Sequence, residues 1–331
     1  MGASIYDVAR EAGVALGTVS RVLNGVANVS PATRAKVTAA MQRLDYQPSI
    51  VARSLASGSS RSVALIVPDL ANPFFADIAA GIEEVTDAQD YVVIICSASS
   101  TIERERRYLK LLAARQVDGL MLIGSNLTPE GLAQLTQGTP IVQVDREVKS
   151  PGAVVVKIDH RLGGYLATSH LLDLGHRTVA FLGGDQDNDA SRARYWGYQD
   201  ALRERGIDPV ETRVARGSLD MAGGQSATAE LLKRQEEFTA VFATNDLMAM
   251  GAMVTLRAAG LSVPADVSLI GFDDIHLAQC TEPPLTTIRQ PAAQLGRRAA
   301  ELLLLQIAEQ PHDTRVILDP ELVVRGTTRH V

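Results

Sequence analysis

The chain has 331 residues, 46% of them hydrophobic and 21% charged, with a formal net charge of −6 at pH 7, enough apolar material for two or three domains with cores of their own. No run approaches the roughly 18 uninterrupted apolar residues of a membrane span, and Met1 to Arg10 lacks the basic start and apolar middle of a secretory signal, which argues against a membrane partner and for the cytoplasm. Cys96 and Cys280 lie far apart as the two cysteines, which excludes a disulfide framework or a CxxC-type metal cluster and makes buried thiols the plain expectation.

The negative charge is unevenly spread. Residues 1–60 carry six basic side chains (Arg10, Arg21, Arg34, Lys36, Arg43, Arg53) against three acidic ones (Asp7, Glu11, Asp45), a net of +3, so the remainder carries −9. A small basic head on a large acidic body suits an anionic partner for the head.

That head opens with "YDVAREAGVALGTVSRVLNG", residues 6–25. Val8, Ala9 and Ala12 line one face of a first short helix, and Gly13 permits a tight turn into a second. On a wheel at 100° per residue from Leu16, the residues Gly17, Ser20, Arg21 and Asn24 share one arc of the second helix, with Val19, Val22 and Leu23 opposite. The apolar side packs inward and the other side faces a partner. A third helix starts with Ser30 as N-cap and Pro31 at the first helical position, carries Val37, Ala40, Met41 and Leu44 at core spacing, and stops before Pro48. On the wheel alone, this is either a helix-turn-helix or a generic three-helix packing module.

From residue 62 apolar runs of strand length alternate with helical stretches: "SVALIVPDL", "YVVIICSAS", "VDGLMLIGS", "PIVQVD", "VVVKID", "TVAFLGG", "AVFATND" and "VSLIGFDD". Strand followed by helix, repeated, means parallel sheets, and so many units divide near residues 155–162 into two doubly wound halves. Nearly every strand ends in polar or small residues: Asp69 and Asn72, Ser125, Asp145, Asp159, Gly183 and Gly184, Asn245 and Asp246, Asp273 and Asp274. Ligands of open parallel sheets bind outside the carboxyl ends of the strands, so two such sheets face to face would converge on one cleft. The competing role for these residues is to cap the helix that follows, the reading preferred for Asp246 and Asp274.

An enzyme is not expected. GxGxxG and GxxxxGK[ST] are absent, and "FLGGDQDND" offers only a glycine pair. His160, His170, His176, His276, His312 and His330 show no metal spacing, and no nucleophile with a matched base can be named, so no catalytic residue, metal or cofactor is assigned. "LGHR" at 174–177 reads as a helix end, with Gly175 terminating it.

The segments "YDVAREAGVALGTVSRVLNG", "VSPATRAKVTAAMQRLDYQPS" and "ARSLA" resemble the DNA-binding head of the lactose-repressor (LacI/GalR) family of bacterial transcription regulators, and "PPLTTIRQP" and "ELVVRGTT" extend the resemblance to the end of the chain. The resemblance implies an N-terminal all-α helix-turn-helix head (1–47), a hinge helix and linker (48–60), and an α/β two-lobed periplasmic-binding-protein-like core (61–331) of two doubly wound parallel sheets. Lobe 1 would span about 61–158 plus 290–320, and lobe 2 about 159–289 plus 321–331. It further implies that the second helix enters the major groove of operator DNA, and that a homodimer reads two half-sites of a palindrome. Arg21 is then the strongest base reader, able to bond guanine O6 and N7 together. Leu16 offers apolar contact to a thymine methyl, Gly17 close backbone approach and Ser20 a further contact, while Thr18 and Asn24 lie near phosphates. The family more often has polar side chains at Leu16 and Gly17. The stretch 49–57 is too short to be helical alone; the resemblance makes it a hinge helix that orders on DNA with Leu55 wedged into the minor groove.

In the body, Asn245, Asp273 and Arg194 match effector-binding positions of the family, and Asp145 faces the cleft with Asn72 and Ser125 at neighbouring strand ends. Phe74 or Phe75 would set an aromatic face against a sugar ring or a nucleobase, although either could be core. Leu219 stands where the family often has a stacking aromatic, which leaves stacking to Phe74 or Trp196. Asp145 and Asp273 beside Arg194 favour a neutral, hydroxyl-rich effector; Arg146 and Arg192 could equally serve a phosphate or carboxylate, and Arg192 could instead form a surface ion pair. The expectation is a transcription repressor controlled by a sugar or related metabolite. Its competitors are a solute-binding protein of a transport system, which would have no use for the head, and an architectural DNA-binding protein, which would have no use for the cleft.

Overall fold

The computed structural model describes residues 3–23, 28–46, 59–99, 101–125, 127–136, 138–145, 148, 152–184, 188–234 and 236–331. The chain divides into two compact units, residues 1–62 with 116–118, and residues 63–115 with 119–331.

The first unit holds α1 (Ile5–Ala12), α2 (Leu16–Leu23) and α3 (Pro31–Arg43). A reciprocal capping box starts α1: Asp7 N donates to Ser4 Oγ, and Ser4 N donates to the Asp7 carboxylate at 2.9 Å. Gly13 ends it with φ +63°, a left-handed conformation that a side chain would strain, and so turns the chain into α2. Thr33 N donates to Ser30 Oγ at 3.2 Å, and Pro31 occupies the first turn of α3. Val8, Ala9, Val19, Val37 and Ala40 form the buried core, with Val22, Leu23, Met41 and Leu44 packed at its rim.

The second unit contains two six-stranded sheets. The first, ordered β11-β5-β4-β3-β1-β2, is built from β1 (Ser62–Val67), β2 (Val92–Ser97), β3 (Gly119–Ile123), β4 (Ile141–Val144), β5 (Val154–Ile158) and β11 (Arg315–Leu318). Sheet 2, ordered β12-β10-β9-β8-β6-β7, is built from β6 (Val179–Gly183), β7 (Val214–Arg216), β8 (Ala240–Ala243), β9 (Ser268–Asp273), β10 (Thr286–Arg289) and β12 (Glu321–Val323). The paired registers are parallel except β10 against β12. The chain passes between sheets after β5, after β10 and after β11, so three short crossings join two lobes.

Helices cover the sheets as parallel strands require. In the first lobe these are α4 (Pro73–Asp87), α5 (Ile102–Ala114), α6 (Pro129–Thr136) and α11 (Ala292–Ile307). In the second they are α7 (His160–Asp173), α8 (Asp189–Glu204), α9 (Met221–Lys233) and α10 (Asp246–Ala258). Along β6, Val179 and Phe181 enter one core and Ala180 and Leu182 the other, which is why this strand reads as an unbroken apolar run. Neither thiol is buried as expected: Cys96 lies half-buried on the edge strand β2, and Cys280 is exposed after a 3-10 turn. Among the described residues no helix is long and apolar enough to cross a membrane.

Candidate functional site

In the first unit α2 buries Val19 and leaves Leu16, Gly17 and Arg21 exposed, with Thr18 and Ser20 half-buried. The neighbouring arginines are engaged: Arg10 pairs with Asp7, Arg43 with Glu11 at 3.2 Å, and Arg34 donates to the Val22 carbonyl at 3.5 Å. Arg21 is exposed and has no ion-pair partner among the described residues. Asn24 and Leu55, also expected at the DNA, lie outside the described residues, as does Arg146 of the effector set.

In the second unit, polar residues after the strands separate into two groups. Asn72, Asp159 and Asn245 are helix N-caps, accepting from Phe74 N, Leu162 N and Met248 N. Asp145, Asp273 and Asp274 instead hold φ of 70°, 115° and 57°. Positive φ is uncommon outside glycine, aspartate tolerates it better than most residues, and such strain gathers where function requires it.

Arg194, in the second turn of α8, is 6% exposed and is the hub of the cleft. Its Nη1 donates to the Thr244 carbonyl at 2.5 Å and lies 3.7 Å from Asp273 Oδ1. Nε and Nη2 face His160 Nδ1 at 3.3 and 3.2 Å, and the guanidinium carbon sits 3.7 Å from the centre of the Phe272 ring. Because Nδ1 accepts, the proton of a neutral His160 sits on Nε2. That atom is 2.7 Å from Asp145 Oδ1 but off the hydrogen-bond axis, so both buried atoms lack an aligned partner. His160 thus stands between the aspartate at the end of β4 and the arginine of α8, one from each lobe.

The charges are set by burial first. Burial pushes the Asp273 carboxyl up to about 6 and Asp145 adds to this, against the Arg194 guanidinium and hydrogen bonds from Gln290 (Nε2 to Oδ1, 2.5 Å) and Asn72. Burial also opposes ionisation of Asp145, but His160 and Arg194 outweigh it and hold that carboxyl below its usual value. Asp246 is fully buried, and burial together with Asp273 pushes it well above the carboxylate range. It accepts from Ile275 N at 2.9 Å and the Thr287 hydroxyl at 2.6 Å. Asp246 is therefore a buried brace and not the helix cap expected of it, because Asn245 takes the cap. Asp274 does not cap either; it pairs with Arg289 at 2.8 Å and Arg325 at 2.5 Å.

Of the expected effector residues, the fold brings together Asn72, Asp145, Arg194 and Asp273. Ser125 is turned away, donating to Glu105 and accepting from Leu127 N. Phe74 is core at 4% exposure, while Phe75 packs edge-on against it, 5.4 Å between centroids, and keeps part of its ring accessible. Asn245 spends its amide on the Leu219 carbonyl at 2.9 Å, and Leu219 itself remains 37% exposed. Arg192 takes the surface ion pair, with Asp189. His160, Phe272 and Gln290 belong to the centre and were not expected there. Among the described residues no group of three His, Cys, Asp or Glu could hold a metal ion.

Comparison with known proteins matches residues 4–49 to the family model described as bacterial regulatory proteins, lacI family, and residues 168–328 to the periplasmic binding protein-like domain. The HTH-type transcriptional repressor PurR of Photobacterium profundum is 37% identical over 330 residues, covering 99% of each chain. Among solved structures, the lac repressor dimer bound to operator and the anti-inducer ONPF is 32% identical with a TM-score of 0.89, over 99% of this chain and 100% of that one. The transcriptional regulator CelR in complex with cellobiose is 35% identical with a TM-score of 0.75, over 98% and 99%. The chain therefore belongs to the LacI family of bacterial regulatory proteins, and it is a DNA-binding, effector-controlled transcriptional repressor and not an enzyme.

Proposed function

We propose that this repressor binds a palindromic operator as a homodimer in the cytoplasm and is controlled by a neutral, hydroxyl-rich molecule, a sugar, held between its lobes. The carrying observation is the buried Asp145–His160–Arg194–Asp273 chain, in which Asp145 Oδ1, His160 Nε2 and the nearby Gln290 Oε1 lack aligned partners. Carboxylates that accept, a guanidinium that donates and two carboxylates against one fixed cation suit hydroxyl groups and disfavour an anion. The cellobiose in the CelR structure supports the same class. A nucleobase is the second reading, favoured by the relatives named PurR and by the accessible part of Phe75.

In the head, Arg21 reads a guanine, Leu16 a thymine methyl, Gly17 and Ser20 allow or add close contact, and Thr18 and Asn24 meet phosphates, with Leu55 entering the minor groove. The dimer is supported by the free edge of sheet 1, where β2 exposes Val92 and Ile95 as apolar side chains that a second copy would cover.

Fluorescence anisotropy at fixed salt tests this, comparing a duplex from upstream of the protein's own gene with a scrambled duplex, with and without sugars and nucleobases. The native duplex is bound more tightly, one sugar changes that affinity, and Arg21→Ala loses about 5- to 150-fold of the preference, the worth of one two-pronged arginine–guanine contact. Equal binding of both duplexes by the unmodified protein, or a response to nucleobases alone, contradicts the reading.

A further inference from the structure

We propose that Asp118 is a positioning residue for operator binding: its carboxylate orders the last residues of the linker before DNA is met, so that a dimer presents its two heads together. This rests on the reading of a homodimer on two half-sites. Asp118 immediately precedes β3, and residues 116–118 belong to the first compact unit together with the head and the linker.

The two carboxylate oxygens take four donors, all from three consecutive linker residues. Oδ1 accepts from Ser60 N at 2.7 Å and from Ser60 Oγ at 2.9 Å. Oδ2 accepts from Ser59 Oγ and from Arg61 N at 3.1 Å. An ionised carboxylate offers about four acceptor sites, so the linker fills this one. With its proton given to Asp118, the Ser60 hydroxyl accepts from Ser62 Oγ at 2.8 Å. Arg61 is held at φ 50°, a conformation uncommon outside glycine, and Asp118 N donates to the Ser62 carbonyl at 2.8 Å.

The sheet does not need this carboxylate. Strands β1 and β3 pair in parallel through backbone groups, with Val63 opposite Gly119, and that ladder is complete without a side chain before it. The four bonds therefore act on the linker. Residues ordered in advance need not be ordered when both heads engage one duplex, and the effective concentration of the second head depends on how its tether presents it. A single head on a half-site makes no such demand. The residue type matters too: asparagine would keep one accepting oxygen and forfeit the bonds at the other, and alanine would forfeit all four.

The test uses the full-length protein and a duplex that it selects from a random-sequence pool, alongside the same duplex with one half scrambled. Anisotropy at fixed salt gives both affinities, and hydrogen exchange of residues 59–62 is followed without DNA. Asp118→Ala binds the full site at least tenfold more weakly, binds the half-site within twofold of the unmodified protein, and exchanges faster over 59–62. Asp118→Asn loses less than alanine does, and Ser60→Ala, weaker alone, adds nothing to Asp118→Ala, as two partners of one contact require. An equal loss on full site and half-site would mean that Asp118 merely supports the head, and overturns the proposal. So does an unchanged full-site affinity, or unchanged exchange over 59–62. Full site and half-site bound alike by the unmodified protein would overturn the two-half-site reading itself, and the positioning role with it.

Discussion

Asp273 carries the titration of the site. It is faced by Arg194, Gln290 and Asn72, which hold its ionised form, and by burial, Asp145 and Asp246, which oppose it, with the result near 6. The folded carboxyl thus keeps a proton that the unfolded chain, at 3.8, has released. Its contribution to stability is present below the unfolded value, falls as pH rises towards 6, and is flat above. Ligand binding has the opposite sense, because the ionised carboxylate is the hydroxyl acceptor. Calorimetry of a bound sugar gives an affinity about tenfold weaker at pH 5 than at pH 7, the consequence of one proton titrating near 6, and Asp273→Asn flattens that profile. The same slope in the variant would mean that another group titrates. Asp145, Arg194 and Asp273 were legible because each follows a strand or matches a motif. His160 was not: its partners stand 15 residues before it and 34 after, separations that no local period encodes. Nor can spacing say which of two adjacent polar residues caps a helix, which is why the cap expected of Asp246 falls to Asn245 and Asp246 is instead a buried brace.

The element that positions Arg194 is the crossing of α7 and α8. A Cβ on Gly164 of α7 would lie 2.1 Å from the Arg194 carbonyl oxygen, and one on Gly197 of α8 would lie 2.0 Å from the Arg161 carbonyl oxygen. The helices meet backbone to backbone, which seats Arg194 deep enough to reach Thr244 and His160. Gly164→Ala forces them apart; an overpacked contact of this kind costs about 1–3 kcal/mol and displaces the guanidinium. Thermal unfolding of the variant shows a lowered midpoint, and anisotropy shows ligand response weakened more than operator binding. Full response at unchanged stability would mean that the crossing relaxes without moving Arg194. Eight strands were evident as apolar runs, seven because helices cover both faces of the sheet there; the eighth, β2, is apolar although it is an edge strand with Val92 and Ile95 exposed. The strands β7 and β11 escaped notice, being three- and four-residue edge strands, β11 with Arg315 and Ile317 exposed. The strands β10 and β12 were visible only through motif resemblance.

At the scale of the whole molecule, a basic head and an acidic, ligand-binding body are separate compact units of one chain, and control requires them to be energetically coupled. Coupling between two ligands is reciprocal: whatever factor the effector imposes on operator affinity, the operator imposes on effector affinity. The two-unit division and the two sheets follow from the charge asymmetry and the strand–helix alternation. The pairing across the cleft does not, since it depends on three chain crossings that bring distant strand ends together. The most direct test measures operator affinity by anisotropy with and without saturating sugar, and sugar affinity by calorimetry with and without operator, at one salt concentration. The two factors are equal and different from one, and Arg194→Ala, which removes the hub of the site, abolishes the effect of sugar on operator affinity while preserving operator affinity in the absence of sugar. An operator affinity unchanged by a sugar that saturates the cleft would contradict effector control through this site.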